Sequence, residues 1–190
     1  MKDVIQEILI TPEDILNKCK ELGAQITKDY TEQGTVPYVV GLLRGSVPFM
    51  ADLMKYLDMD IQIDFMDVSS YQGSKSTGHI RINKDLECNV EGMSILLVED
   101  IVDTGRTFNY LMNYIKEMNP KSVKSCVLLD KKARRVIAFE ADYVGFSIED
   151  LFVIGRCISA DFKAQGALRI IPSCFSMGEG LAKYLAKNKS

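Results

Sequence analysis

The stretch that most constrains this chain is Ser94–Phe108, Ser-Ile-Leu-Leu-Val-Glu-Asp-Ile-Val-Asp-Thr-Gly-Arg-Thr-Phe. Ser94 to Val98 is short and apolar, the pattern of a strand buried on both faces of a parallel sheet. Glu99 and Asp100 place two carboxylates at its C-terminal end, and the small-residue run Asp103–Thr107 leads into an amphipathic segment reaching about Met118. Strand, acidic turn, loop and helix in that order predict an open α/β sheet, in which ligands bind at the C-terminal strand edge. Each part has a chemical use. Backbone N–H groups at a helix N-terminus cradle phosphate, and Gly105 allows close approach. Thr104 and Thr107 add hydroxyl donors. Glu99 and Asp100 suit ribose hydroxyls or Mg²⁺, held directly or through water. A metal-binding turn in another α/β protein or a solvated helix cap would use the same two acids. The loop lacks G-x-x-x-x-G-K-[ST] and G-x-G-x-x-G, so neither a triphosphate P-loop nor a dinucleotide fold is supported.

The run Val98–Thr107 resembles the phosphoribosyl-pyrophosphate (PRPP) motif of the type I phosphoribosyltransferases. Its wording, Val-Glu-Asp-Ile-x-Asp-Thr-Gly, is similar to that of the hypoxanthine-guanine branch. Three further stretches resemble the family in the same order: Leu43-Arg44-Gly45, Asp64–Tyr71, and Asp142–Phe146 followed by Phe152–Gly155. Together they cover roughly residues 5 to 155.

Length and composition agree with one domain. At 190 residues, 47% hydrophobic and 26% charged, the chain can bury a sizeable core. A net charge of −3 offers no general attraction for nucleic acid, so an anionic substrate needs Mg²⁺ and local basic groups. Five widely spaced cysteines, no C-x-x-C and no secretory signal predict free thiols in a reducing cytoplasm. No apolar run reaches the ~18–20 residues of a membrane span.

Along the chain, residues 1–10 read as an extended arm. Thr11-Pro12-Glu13-Asp14 starts a helix with Thr as N-cap, and Ile15, Leu16, Cys19, Leu22 and Ile26 form its apolar face. Val36–Leu43 is a core strand ending at Arg44-Gly45, with a helix from about Pro48 to Tyr56. The resemblance makes this the pyrophosphate loop, often with a cis peptide before a lysine, which is replaced here by Arg44. Ile61–Ser69 is a strand. Ser70–Gly78 has no periodicity, and the resemblance makes it a lid over the reacting centre, starting at Ser69, Ser70 and Tyr71. His79–Ile82 returns as a strand, and His79 receives no catalytic role. Lys121–Leu129 is another strand. Its end carries Lys131, Lys132, Arg134 and Arg135, a solvated turn or a nucleic-acid patch by charge alone, with the acidity of the chain against the patch. By resemblance Lys131 donates to the purine oxygen at C6, and Arg135 supports the pyrophosphate side. Ala141–Phe146 and Leu151–Gly155 complete the strands. Phe152 aligns with the aromatic that stacks on the purine, and Val153 with main-chain contacts to its edge.

Similarity weakens after Gly155. Without gaps the family's aspartate falls on Ser159. A two-residue insertion places it on Asp161, and two more align Arg169-Ile170-Ile171-Pro172 with Arg-x-Leu-Pro; this gapped reading is preferred because it recovers two motifs, with Asp161 and Arg169 then near pyrophosphate or metal. The resemblance implies a parallel sheet of about five strands flanked by helices. A hood from about 1–10 and 150–190 would complete one domain. It implies Mg²⁺-dependent transfer of phosphoribosyl from PRPP to hypoxanthine or guanine. Arg44, Gly45, Glu99, Asp100 and Asp103–Thr107 (Arg106 included) would bind PRPP, with Asp103 the catalytic acid or base near N7. Glu99 and Asp100 would serve the metal. The expected partners are PRPP and a purine base in a homodimer or homotetramer, without nucleic acid or membrane. A xanthine-preferring enzyme and a non-catalytic, PRPP-sensing nucleic-acid-binding regulator are the rival readings.

Overall fold

The computed structural model describes residues 10–70 and 80–148. The arm, Tyr71 and the rest of the lid through residue 79, and everything from residue 149 lie outside the described residues, so the hood, Phe152, Val153, Asp161 and Arg169 are not placed.

The chain opens with α1 (Pro12–Glu32), whose start is a full capping box: Thr11 accepts from the Asp14 amide at 3.1 Å, and Asp14 accepts from the Thr11 amide at 2.8 Å. Cys19, Leu22, Gly23, Ile26 and Tyr30 form its buried face. Leu16, expected on that face, is 37% exposed; one turn before Cys19, it lies at the rim of the helix contact. Next come β1 (Pro37–Leu43), α2 (Ser46–Met54), β2 (Gln62–Ser70), β3 (Ile80–Lys84), β4 (Ser94–Val102), α3 (Arg106–Lys116), β5 (Ser122–Lys131), a single 3₁₀ turn (Lys132–Arg134) and β6 (Tyr143–Ile148).

The described strands form one sheet in the order β3-β2-β1-β4-β5-β6. Five run parallel, as expected, and β3 adds an antiparallel edge to β2. The strand order reverses between β1 and β4, so their C-terminal ends flank the crevice where open α/β sheets bind ligands.

Alternation along β4 divides the core between the two faces. Leu96 and Val98 pack with Cys19, Leu22, Ile26, Phe49, Met50 and Leu53 of α1 and α2, whereas Ile95 and Leu97 pack with Phe108, Leu111, Met112 and Ile115 of α3. Residues 95–98 are all fully buried. Each such side chain contributes roughly 1.5–3 kcal/mol of transfer free energy, which makes β4 the rigid base of the loop after it.

Candidate active site

β4 does not stop at Val98. It stays paired with β5 through Glu99 opposite Val127, Ile101 opposite Leu129 and Val102 opposite Asp130. The acidic pair therefore sits near the end of a hydrogen-bonded strand rather than in a free turn. The Glu99 and Asp100 side chains interact with each other there. Asp100 lies beside Gly45, the N-cap of α2. A Cβ on Gly45 would lie 2.5 Å from its Oδ2. Gly45 is thus the residue that lets the loop after β1 close onto the acidic end of β4.

That loop holds the expected cis peptide, between Leu43 and Arg44. The buried Ser46 hydroxyl donates to the Leu42 carbonyl at 2.6 Å, tying the start of α2 back to β1. The Arg44 side chain is exposed.

After β4 the chain turns through Asp103 and Thr104 to Gly105, which caps α3 with φ +80°. That left-handed conformation strains any side chain, and a Cβ would also lie 2.9 Å from Arg135 Cδ. A cleft of about 280 Å³ opens here, lined by Leu42, Leu43, Val68, residues 99–105, Thr107 and Phe108. Glu99, Asp100, Asp103, Thr104, Gly105 and Thr107 therefore share one wall, whereas Arg106 is exposed on the first turn of α3 and does not line it. Ser69 and Ser70 end β2 opposite Arg81 and Ile80. Lys131 is the last residue of β5, paired with Ile148.

The electrostatics of the wall are uneven. Burial, and then the neighbouring Asp100, push the Glu99 carboxyl well above the usual carboxylate range. Among the described residues no group of three or more His, Cys, Asp or Glu could hold a metal ion. Two carboxylates beside a phosphate-sized cleft suit Mg²⁺, which takes one or two protein carboxylates and fills its shell with water and substrate phosphates.

Sequence reasoning did not foresee the segment that backs the wall. The Arg135 side chain is 12% exposed and forms an ion pair with Asp130, itself 2% exposed. Arg135 Nε donates to the Asp103 carbonyl at 3.2 Å and Nη1 to the Phe139 carbonyl at 2.6 Å. The amides of Val136 and Ile137 donate to the Thr104 carbonyl at 3.0 and 3.3 Å. The basic run after β5 was the available signal, but charge alone does not say that an arginine faces backbone carbonyls.

Comparison with known proteins agrees with this geometry. The sequence model of the phosphoribosyl transferase domain matches residues 6–161. A second model, of FAD dependent oxidoreductases, matches residues 143–188, less than half of the chain and almost wholly outside the described residues. The chain is 49% identical over 152 residues to the hypoxanthine-guanine phosphoribosyltransferase of Streptococcus pyogenes, covering 80% of this chain and 83% of that one. It is 47% identical over 156 residues to the Bacillus subtilis enzyme of the same name, covering 82% and 86%. It is also 49% identical over 156 residues to the bifunctional protein TilS/HprT of Listeria innocua, of whose length it spans 24%. A crystal structure of a hypoxanthine phosphoribosyltransferase from Staphylococcus aureus superposes with a TM-score of 0.76 at 45% identity, covering 85% of this chain and 88% of that one. The strand order, the acidic strand end and its glycine-capped helix, together with these similarities, show that the chain belongs to the phosphoribosyltransferase family, in its hypoxanthine-guanine branch.

Proposed function

We propose that the chain transfers the 5-phosphoribosyl group of PRPP to N9 of hypoxanthine or guanine, releasing pyrophosphate and the purine mononucleotide. The observation that carries this reading is the shared wall of Glu99, Asp100, Asp103, Thr104, Gly105 and Thr107 at the β1/β4 switch point. The names of the relatives supply the purine.

Thr104, Gly105 and Thr107, at the N-terminus of α3, hold the 5′-phosphate with amide and hydroxyl donors. Arg44 and Gly45 take the pyrophosphate side. Glu99 and Asp100 hold the ribose hydroxyls and favour the positive charge that develops on the ring as pyrophosphate leaves. The family uses a divalent metal with PRPP, and Mg²⁺ carried on Glu99 and Asp100 would neutralise and orient the leaving pyrophosphate. Asp103 accepts or returns a proton at N7 of the base. Lys131 donates to the purine oxygen at C6; an ammonium has no acceptor for an amino group, so oxopurines are preferred over adenine. Ser69, Ser70 and Tyr71 begin the lid that keeps water from the ribosyl cation. Phe152 and Val153 contact the base. Asp161 and Arg169 would lie near the pyrophosphate or metal; the phosphoribosyl transferase match reaches Asp161, and Arg169 lies beyond it.

Calorimetric titration with PRPP tests the binding half of this reading. The expected result is saturable binding that needs Mg²⁺ and is lost in EDTA. Absence of PRPP binding in Mg²⁺ would overturn the reading.

A further inference from the structure

Arg135 contributes to this site without facing its cleft. Three of its N–H groups have partners inside the protein: the Asp103 carbonyl at 3.2 Å, the Phe139 carbonyl at 2.6 Å and the Asp130 carboxylate. Its guanidinium also lies 5.6 Å from the Phe139 ring centroid, and that ring packs on Phe108 of α3 at 5.0 Å. The amides of Val136 and Ile137 take the next carbonyl, that of Thr104. Both carbonyls of the loop are therefore drawn toward the 135–139 segment.

Peptide geometry then sets the direction of the loop amides. The peptides after Asp103 and Thr104 are trans, the one cis bond of the described residues being Leu43–Arg44. In a planar trans peptide the C=O and the following N–H point opposite ways. With the carbonyls of residues 103 and 104 facing 135–137, the N–H groups of Thr104 and Gly105 face the other way. We propose that Arg135 is a positioning residue for the reaction: by clamping the Asp103 carbonyl against the buried Asp130 it turns the loop amides toward the substrate's 5′-phosphate. Through Asp130, the residue before Lys131, the same clamp joins the phosphate loop to the end of the strand that carries the purine-reading lysine. The proposal rests on the phosphoribosyltransferase reading of the cleft, and it differs from a role for Arg135 on the pyrophosphate itself.

Arg135→Lys is the test variant. It keeps a cation beside Asp130 but cannot form the planar three-way fork. Calorimetry with GMP, which carries the 5′-phosphate alone, is compared with PRPP and with inorganic pyrophosphate. The expected result is a loss of affinity for GMP and PRPP alike, on the order of tenfold, with pyrophosphate binding unchanged. In turnover KM for PRPP rises while kcat stays close to wild type, as for an interaction made equally in ground and transition states. Loss of PRPP and pyrophosphate binding with GMP untouched would overturn the proposal in favour of a direct pyrophosphate contact. A fall in melting temperature with all three affinities unchanged would reduce Arg135 to a structural brace.

Amide hydrogen exchange on the free protein keeps this test separate from the functional reading. Peptides covering 103–107 should exchange faster in Arg135→Lys, with those covering 94–98 unchanged. Unaltered exchange at 103–107 would overturn the positioning role even if the wild type binds PRPP. Faster exchange in a protein that binds neither GMP nor PRPP would keep the clamp and overturn the function proposed for the cleft.

Discussion

Asp103 and Glu99 stand four residues apart on one wall, and their surroundings suit them to different work. Asp103 sits where the strand has ended and the loop begins, within the cleft lining. Its proposed proton transfer is worth about 10²–10⁴ in rate when a well-placed side chain performs it. Asp103→Asn should therefore lower kcat by on the order of a hundredfold while calorimetric PRPP affinity stays near wild type; equal loss of both would deny it the role. Glu99 is different, because burial and Asp100 hold it protonated to higher pH than in the unfolded chain. Above its ordinary 4.5 the unfolded chain has released a proton that the fold retains, so this group takes stability away as pH rises toward its folded value. Glu99→Gln, a neutral isostere, should melt close to wild type near pH 4.5 and increasingly above wild type as pH rises from there. Scanning calorimetry without metal or substrate checks this, and an offset independent of pH would contradict it. At this scale the shared wall was legible, because an apolar run followed by two acids and Asp-Thr-Gly brings Glu99, Asp100 and Asp103 to one strand end. The close approach of Gly45 to Asp100 was not legible, since the Asp100 carboxylate belongs to another strand. Nor was the task of Arg135, whose carbonyl acceptor lies 32 residues away.

Among the elements, the antiparallel edge strand depends on one buried carboxylate. Asp64 of β2 is 4% exposed. It accepts from the Tyr38 hydroxyl at 2.8 Å, the Lys84 ammonium at 2.9 Å, and the amides of Phe65 and Glu87 at 2.7 Å each. These bonds join β1, β2, β3 and the chain beyond β3. Burial alone would raise the Asp64 pKa, but the Glu87 amide, Lys84, the Phe65 amide and Tyr38 outweigh it and hold the carboxyl below its usual range. A lowered carboxylate stabilises the fold above its unfolded pKa and ceases to as pH falls through the folded one. Asp64→Asn should thus cost about 1–3 kcal/mol near neutral pH, and the gap to wild type should close below the usual carboxylate range. Urea unfolding on both sides of that range measures it, and a cost that persists in acid would contradict the account. Element types followed from the sequence, including the capped start of α1 and the return of β3. Element ends were less legible. β4 runs on past Val98 to Val102 because β5 supplies backbone partners as far as Asp130, a long-range pairing that an apolar run cannot signal. Helix α2 starts at Ser46 rather than near Pro48, because the Ser46 hydroxyl closes the turn onto the Leu42 carbonyl.

For the molecule as a whole, the sheet with helices on both faces was legible from five apolar runs alternating with helical ones. The order β3-β2-β1-β4-β5-β6, which sets the two loops side by side, was supplied only by the structure. The phosphoribosyl transferase match runs through residue 161. Asp161, where the gapped alignment puts the family's aspartate, lies inside that match, and Arg169–Pro172 lie beyond it. Among the described residues no helix is long and apolar enough to cross a membrane. The residues proposed for the phosphate belong to described elements, whereas Phe152 and Val153, proposed for the base, lie outside them. The account's central claim, transfer to an oxopurine, is therefore tested most directly at the base. The measurement is nucleotide formation from PRPP and Mg²⁺ with hypoxanthine, guanine, xanthine and adenine offered in parallel, read by chromatography with pyrophosphate release. The account predicts inosine and guanosine monophosphates from the first two bases and no product from adenine. Turnover of xanthine alone, or no nucleotide from any base by folded protein that binds PRPP, would contradict it.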